Sequence, residues 1–230
     1  MREQNYTIPI NEAYEVYDGC PICRLYQKLE ADSLSYVMGA AMMEPDVRIE
    51  TNRFGFCKEH FPKMQAMQKK LPLALMLESY LADLKALCDL DYEKVSKREF
   101  PSIAEKFTLA ADGCFVCNQI ETRLSHCCSN IVYLWEREQE FRDKTARQTT
   151  FCPTHLAKLL SCAQSELPKK LIGPFFRAHC EVAKRELVPL CEDISKFCKS
   201  FDHRFAGIPM GEERSAVERT IAYLTGGQSK

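Results

Sequence analysis

Asp18-Gly19-Cys20-Pro21-Ile22-Cys23, followed downstream by Phe56-Cys57-Lys58-Glu59-His60, is written a second time as Asp112-Gly113-Cys114-Phe115-Val116-Cys117 and Phe151-Cys152-Pro153-Thr154-His155. From the second cysteine of each opening pair to the third is 34 positions in the first copy and 35 in the second. The agreement extends outward. Arg48 lies nine positions before Cys57 and Arg142 ten before Cys152, and Leu71-Pro72 and Leu167-Pro168 follow the histidines at 11 and 12. The chain is therefore an internal duplication, and its fold is to be read as two copies of one unit.

Between these motifs the periodicity is helical. Tyr26, Leu29, Leu34, Val37, Met38 and Ala41 form an apolar stripe ended by Pro45. Ile120, Leu124, Cys127, Cys128, Ile131, Leu134 and Trp135 form its counterpart, ending near the charged segment Glu136 to Lys144. Each interval thus reads as a helix and a loop. A short helix follows His60 to about Lys70, and Pro72 suits the first turn of the next, which carries Leu73, Met76, Leu77, Tyr80, Leu81, Leu84, Leu87 and Cys88. The matching long helix starts at Pro168 and runs to Phe201, with kinks expected at Pro174 and Pro189. After a loop containing Pro209-Met210-Gly211, a last helix with Val217, Ile221 and Leu224 stops at Gly226-Gly227. No period-2 alternation stands out. The expected fold is an all-α helical bundle of two duplicated metal-binding helical repeats plus a short C-terminal helix. Repeat 1 covers 12–90, a connector 91–105, repeat 2 106–201, and the C-terminal loop and helix 202–230.

A Cys-x-x-Cys turn brings two sulfurs close enough to share one ion, and Cys-x-x-His puts both ligands on one face of a helical turn. Three thiolates and one imidazole complete a tetrahedron with no position left for water. Soft ligands argue against magnesium, calcium and manganese, so zinc is the expected metal, two ions per chain. The ligands are Cys20, Cys23, Cys57 and His60 in one copy and Cys114, Cys117, Cys152 and His155 in the other. Because each repeat contains a full set, each is expected to close its own site, with pairing across the repeats the minor alternative. Six thiolates and two divalent ions would take the formal charge from −1 to −3. Each centre would itself be anionic, and the equivalently placed Arg48 and Arg142 are candidates to support it from outside the ligand set, with ordinary surface arginines as the competing reading.

The chain has 13 cysteines and no signal pattern in MREQNYTIPINEAYE, so reduced thiols in the cytoplasm are the default and a disulfide framework the weaker explanation. Cys88, Cys127, Cys128, Cys180, Cys191 and Cys198 fall on or beside apolar stripes and read as core, and Cys162 has no partner motif. His126, His179 and His203 match no ligand spacing. His126 beside Cys127 is no nucleophile pair, since helix neighbours point about 100° apart. With 31 Lys+Arg against 32 Asp+Glu, composition gives no argument for a nucleic-acid or membrane surface. The longest apolar run, Leu71 to Leu77, is far short of the roughly 20 residues of a spanning helix.

The strings CPIC…GFCKEH and CFVC…TFCPTH, with FDHRF…PMGEERSAVERTIAYLTGG at the end, resemble a bacterial family of unknown function that has twin Cys-x-x-Cys…Phe-Cys-x-x-His motifs and a closing Phe-Asp-x-Arg segment. The resemblance covers nearly the whole chain and implies a cytoplasmic bacterial protein, with no activity attached. Phe115 stands where the first copy has Pro21, which leaves the spacing intact. Three functions compete. A two-zinc protein with structural metals, binding an unidentified protein partner through a helical face, accounts for closed sites without a catalytic constellation, so no enzyme is expected. A thiol or metal redox sensor, or an iron–sulfur electron-transfer protein, accounts for the many thiols, although cluster ligands are usually four cysteines. Nucleic-acid binding rests only on the basic pairs Lys69-Lys70 and Lys169-Lys170, which solvated surface also explains.

Overall fold

A computed structural model of the chain describes residues 6–91, 93–202, 204 and 211–226. Among these residues there are eleven α-helices and no strand, so the all-α reading holds. His203, which matches no ligand spacing, Pro209 and Met210 of the expected loop, and Gly227 of the expected helix stop lie outside the described residues.

Two compact units emerge, and they are cut differently from the sequence repeats. One contains residues 1–27 and 124–230, the other 28–123. The boundary falls within helices α2 (Pro21–Val37) and α7 (Phe115–Arg137), each of which contributes its first part to one unit and its remainder to the other.

The first unit is organised by α10 (Lys169–Lys199), which continues through Pro174 and Pro189 and at 31 residues is about 46 Å long. Against it pack α8 (Gln139–Arg147), α9 (Pro153–Glu166) and α11 (Ala216–Thr225), while α1 (Thr7–Glu15) packs on α8. The Tyr14 and Phe141 rings meet at 4.7 Å, and Ile10, Ile22, Leu124, Ile131, Phe151, Leu159 and Phe175 complete a core whose larger members each contribute about 1.5 to 3 kcal/mol by burial. His179 is fully buried in it, stacked on Phe175 at 4.0 Å, and its ring Nδ1 lies 2.8 Å from the Phe175 carbonyl. His126 is exposed and Cys127 buried, so the two do point apart.

The second unit is more thinly packed. It contains a 3-10 turn (Ala40–Met43), α3 (Pro45–Phe54), α4 (His60–Ala66), α5 (Lys70–Cys88) and α6 (Phe100–Asp112), with α3 resting on α5 and α6. Its core consists of Leu29, Leu34, Val37, Met38, Met42, Phe56, Met64, Met76, Phe115, Val116 and Ile120. Helix α5 buries one side chain, Met76, and α6 buries none.

Three expectations need correction. The intervals are not one helix and a loop, because α3 and α8 are both helical. Pro45 begins α3 instead of merely ending the preceding stripe, its fixed φ suiting a first turn, and the charged α8 is held by burial of Phe141 and Thr145. The expected connector is partly helix, since α6 starts at Phe100. Cys127 and Cys128 are core, but Cys88, Cys191 and Cys198 are exposed and Cys162 and Cys180 half-buried: the stripes on α5 and α10 are wider than the faces those helices bury.

Candidate metal centres

The eight candidate ligands come together in two groups, and the grouping corrects the pairing expected from the repeats. Cys20 and Cys23 meet Cys152 and His155; Cys57 and His60 meet Cys114 and Cys117. In each group the Cys-x-x-Cys of one repeat is completed by the Cys-x-x-His of the other. Helix lengths supply the reason. Within each repeat the outgoing helix outruns the returning one: α2 and α7 run about 26 and 35 Å, while α3 and α8 run about 15 and 14 Å. Each repeat therefore presents its Cys-x-x-His end to the other copy. The resulting centres each lie inside one compact unit, the first in residues 1–27 and 124–230, the second in 28–123.

Local structure aims the donors. Cys20 precedes α2 and Cys23 lies in its first turn; Cys114 and Cys117 stand the same way at α7; Cys152 is the residue before α9 and His155 lies in its first turn. Helix N-termini of this length favour thiolate charge through their unpaired N–H groups and dipole. The Cys117 N–H points at the Cys114 sulfur at 3.5 Å. At the second centre the Phe115 N–H donates to the Gly55 carbonyl at 2.9 Å, tying the two ligand-bearing loops together. Gly55 has φ of +60°, and a Cβ there would meet the Tyr80 hydroxyl at 2.7 Å, so the turn requires glycine.

The spacing fits one ion per group. A tetrahedral ion with bonds of about 2.3 Å to sulfur separates its sulfurs by about 3.8 Å. The Cys23–Cys152 and Cys57–Cys117 sulfurs are 3.6 and 3.8 Å apart, and all donors within each group lie within 4.8 Å of one another. His155 Nδ1 is 3.1 Å from the Cys23 sulfur and 3.3 Å from that of Cys152. His60 Nδ1 lies 3.2, 3.3 and 3.4 Å from the sulfurs of Cys57, Cys114 and Cys117. Either group could hold a metal ion.

Protons compete for the same donors. Hydrogen bonds from Cys152 and Cys23 hold Cys20 far below the usual thiol range, while Cys23, beside Cys152 and Cys20, is pushed far above it. Cys114 is lowered to about 3, chiefly by its hydrogen bond with Cys117, and Cys117 is driven up by the same neighbour. Burial alone would depress His60 and His155, but sulfur neighbours outweigh it and raise each to about 9. A divalent cation would replace the protons that these sites otherwise retain.

Several residues lie near the centres that the sequence did not assign to them. At the second centre His60 Nε2 lies 3.1 Å from Glu30, which also accepts Lys63 Nζ at 2.7 Å; a carboxylate on the far nitrogen fixes the imidazole with Nδ1 toward the sulfurs. At the first, Arg24 donates to the carbonyls of Ala13, Val16 and Asp18, and buried Gln148 bonds the Tyr14 carbonyl at 2.7 Å. Gly226, at φ +71° after α11, lies so close that a Cβ would come within 2.9 Å of the Cys23 sulfur and 3.3 Å of that of Cys152. A cavity of about 620 Å³ adjoins this centre, walled by Arg24, Glu186, Arg219, Tyr223 and Gly226. Arg142 is employed elsewhere: it donates to the Trp135 and Glu136 carbonyls at 2.7 and 2.6 Å and lies over the Trp135 ring, closing the C-terminus of α7. The Arg48 backbone N–H donates to the Glu44 carbonyl at the start of α3.

The model of a family of unknown function, DUF6062, matches residues 1–230. No curated protein and no solved structure matches the chain.

Proposed function

As the chain belongs to the DUF6062 family, whose function is unknown, its own donors must carry the reading, and we propose that it is a cytoplasmic zinc protein with two structural Cys3His sites, serving as a partner-binding or regulatory module. The observation that carries this is the spacing of the donors. Four donors within 4.8 Å of one another suit one shared ion, whereas an iron–sulfur cluster spreads its ligands over several metal atoms. Soft thiolates favour zinc over hard cations, and four protein donors leave no position for a reacting water.

A structural role follows from energetics. Structural zinc in small domains contributes an apparent 10 to 16 kcal/mol, about the whole stability of a domain. The second unit, with α5 burying one side chain and α6 none, has the most to gain from it.

Partner binding is supported by the same two helices. Leu71, Leu81 and Phe100 are 68, 60 and 63% exposed, and Phe107 is exposed as well, so both helices offer large apolar side chains that a partner could cover. Zinc would hold these helices in place, and a protein partner would cover them. Elemental analysis and an absorption spectrum of protein purified without added metal or chelator test the reading. Two zinc ions per chain and a colourless solution are expected; iron with visible absorption would replace it with electron transfer or redox sensing.

A further inference from the structure

The duplicated centres share their sulfur geometry but differ in access. In each, the second cysteine of Cys-x-x-Cys faces the cysteine of Cys-x-x-His, at 3.6 Å for Cys23 and Cys152 and 3.8 Å for Cys57 and Cys117. Cys20, Cys23 and Cys152 are 6, 7 and 2% exposed, and the Gly226 backbone lies against two of their sulfurs. Tyr223, on the same last helix, donates to the Phe151 carbonyl at 3.5 Å, next to Cys152. At the second centre Cys117 is exposed and Cys57 half-buried, and of its three cysteines only Cys114 is buried.

We infer that Cys117 and Cys57 form an oxidation site for small hydroperoxides, which the buried first centre does not share. The inference rests on both centres holding zinc, as proposed above. Coordination keeps a thiolate deprotonated at neutral pH, and the thiolate is the nucleophile. The Cys117 sulfur attacks one oxygen of hydrogen peroxide; the O–O bond breaks, the sulfur becomes a sulfenic acid, and the departing hydroxide takes a proton to leave as water. The Cys57 thiolate, 3.8 Å away, then attacks the sulfenic sulfur and displaces its hydroxide, which leaves as a second water. In sum two thiolates, one peroxide and two protons yield one disulfide and two waters: two electrons leave the sulfurs and the peroxide is reduced. Cys114 and His60 remain, and with two of four donors gone the second centre no longer retains its ion. That centre lies in the thinly packed unit, between the loop entering α4 and the N-terminus of α7, so loss of the ion would loosen the helices that carry the exposed Leu71, Leu81, Phe100 and Phe107. The first centre would keep its ion and hold the other unit folded.

The test uses the full chain as purified. Metal content is measured first; then hydrogen peroxide is added in steps, freed zinc is read with a chromophoric chelator, and cysteine states are mapped by mass spectrometry. The inference predicts that one of two zinc ions is lost first, together with a Cys57–Cys117 linkage, while Cys20, Cys23 and Cys152 stay reduced, and that a dithiol reductant with zinc restores both ions. Loss of the two ions together, loss from the first centre first, or oxidation confined to exposed Cys191 and Cys198 would overturn it. A chain purified without zinc would overturn the function proposed above, whereas two zinc ions without preferential release would overturn the oxidation site alone. Because the linkage is read in the unaltered protein, the result does not depend on a variant folding.

Discussion

Replacing Glu30 by glutamine separates the two centres by affinity. Glu30 is 17% exposed and lies 3.1 Å from His60 Nε2; no residue of the other centre bonds it. Its carboxylate fixes the ring and raises the basicity of Nδ1, and removal of such outer partners typically costs 10 to 100-fold in metal affinity, about 1.4 to 2.7 kcal/mol. Glutamine retains the size and an amide oxygen but removes the charge. The accompanying loss of the Glu30–Lys63 pair matters little to folding, because Lys63 is about half exposed and such pairs contribute roughly 0 to 1 kcal/mol. The assay is competition of the two-zinc protein against a chromophoric chelator. One ion should leave at about 10 to 100-fold lower chelator strength than in wild type while the other is unmoved. An equal shift of both ions, or of neither, would refute the argument that Glu30 acts through His60.

Gly226→Ala should weaken the first centre by about tenfold and leave the second unchanged in the same competition, since a left-handed φ costs alanine about 1 kcal/mol and its Cβ would press on the Cys23 sulfur; unchanged affinity would mean the last helix does not rest on the centre. Arg142→Ala should lower stability by about 1 to 2 kcal/mol in denaturant melts with both zinc affinities intact, because the guanidinium closes α7 and touches no ligand. Burial lowers His179 to about 4, so the folded protein binds fewer protons there than the unfolded chain. The stability this group contributes is complete above about pH 6.5 and is lost as pH falls through 4, about 3 kcal/mol in all. His179→Phe should flatten that part of the stability–pH curve relative to wild type, and an unaltered slope would show that His179 is not the group responsible.

The candidate donors were legible because metal chemistry imposes short spacings: Cys-x-x-Cys and Cys-x-x-His are local, their repetition singled them out, and the structure gathers all eight into two groups that could each hold an ion. The pairing was not, because it depends on how far α2 and α7 carry the chain before α3 and α8 return it, which is a property of helix length and not of motif. Helical periodicity revealed α2, α5, α7, α10 and α11, whose apolar stripes are long. It missed α3 and α8, where a Pro45 start or the burial of Phe141 and Thr145 outweighs a polar composition. The positional likeness of Arg48 and Arg142 suggested a shared role that Arg142 does not have, since a guanidinium goes to the nearest unpaired carbonyls. Glu30 carried no sequence signal and Gly226 only that of a helix stop, because the neighbour each meets at its centre is defined only in space.

Zinc counts on paired serine variants test the crosswise centres most directly. Cys20→Ser with Cys152→Ser removes two donors from one group, whereas Cys20→Ser with Cys57→Ser removes one from each. The first protein is predicted to retain one zinc ion per chain, and the second to have both sites impaired and lose zinc from each. The opposite outcome, with one ion retained by the Cys20/Cys57 pair and both lost by the Cys20/Cys152 pair, would mean that each repeat closes its own site.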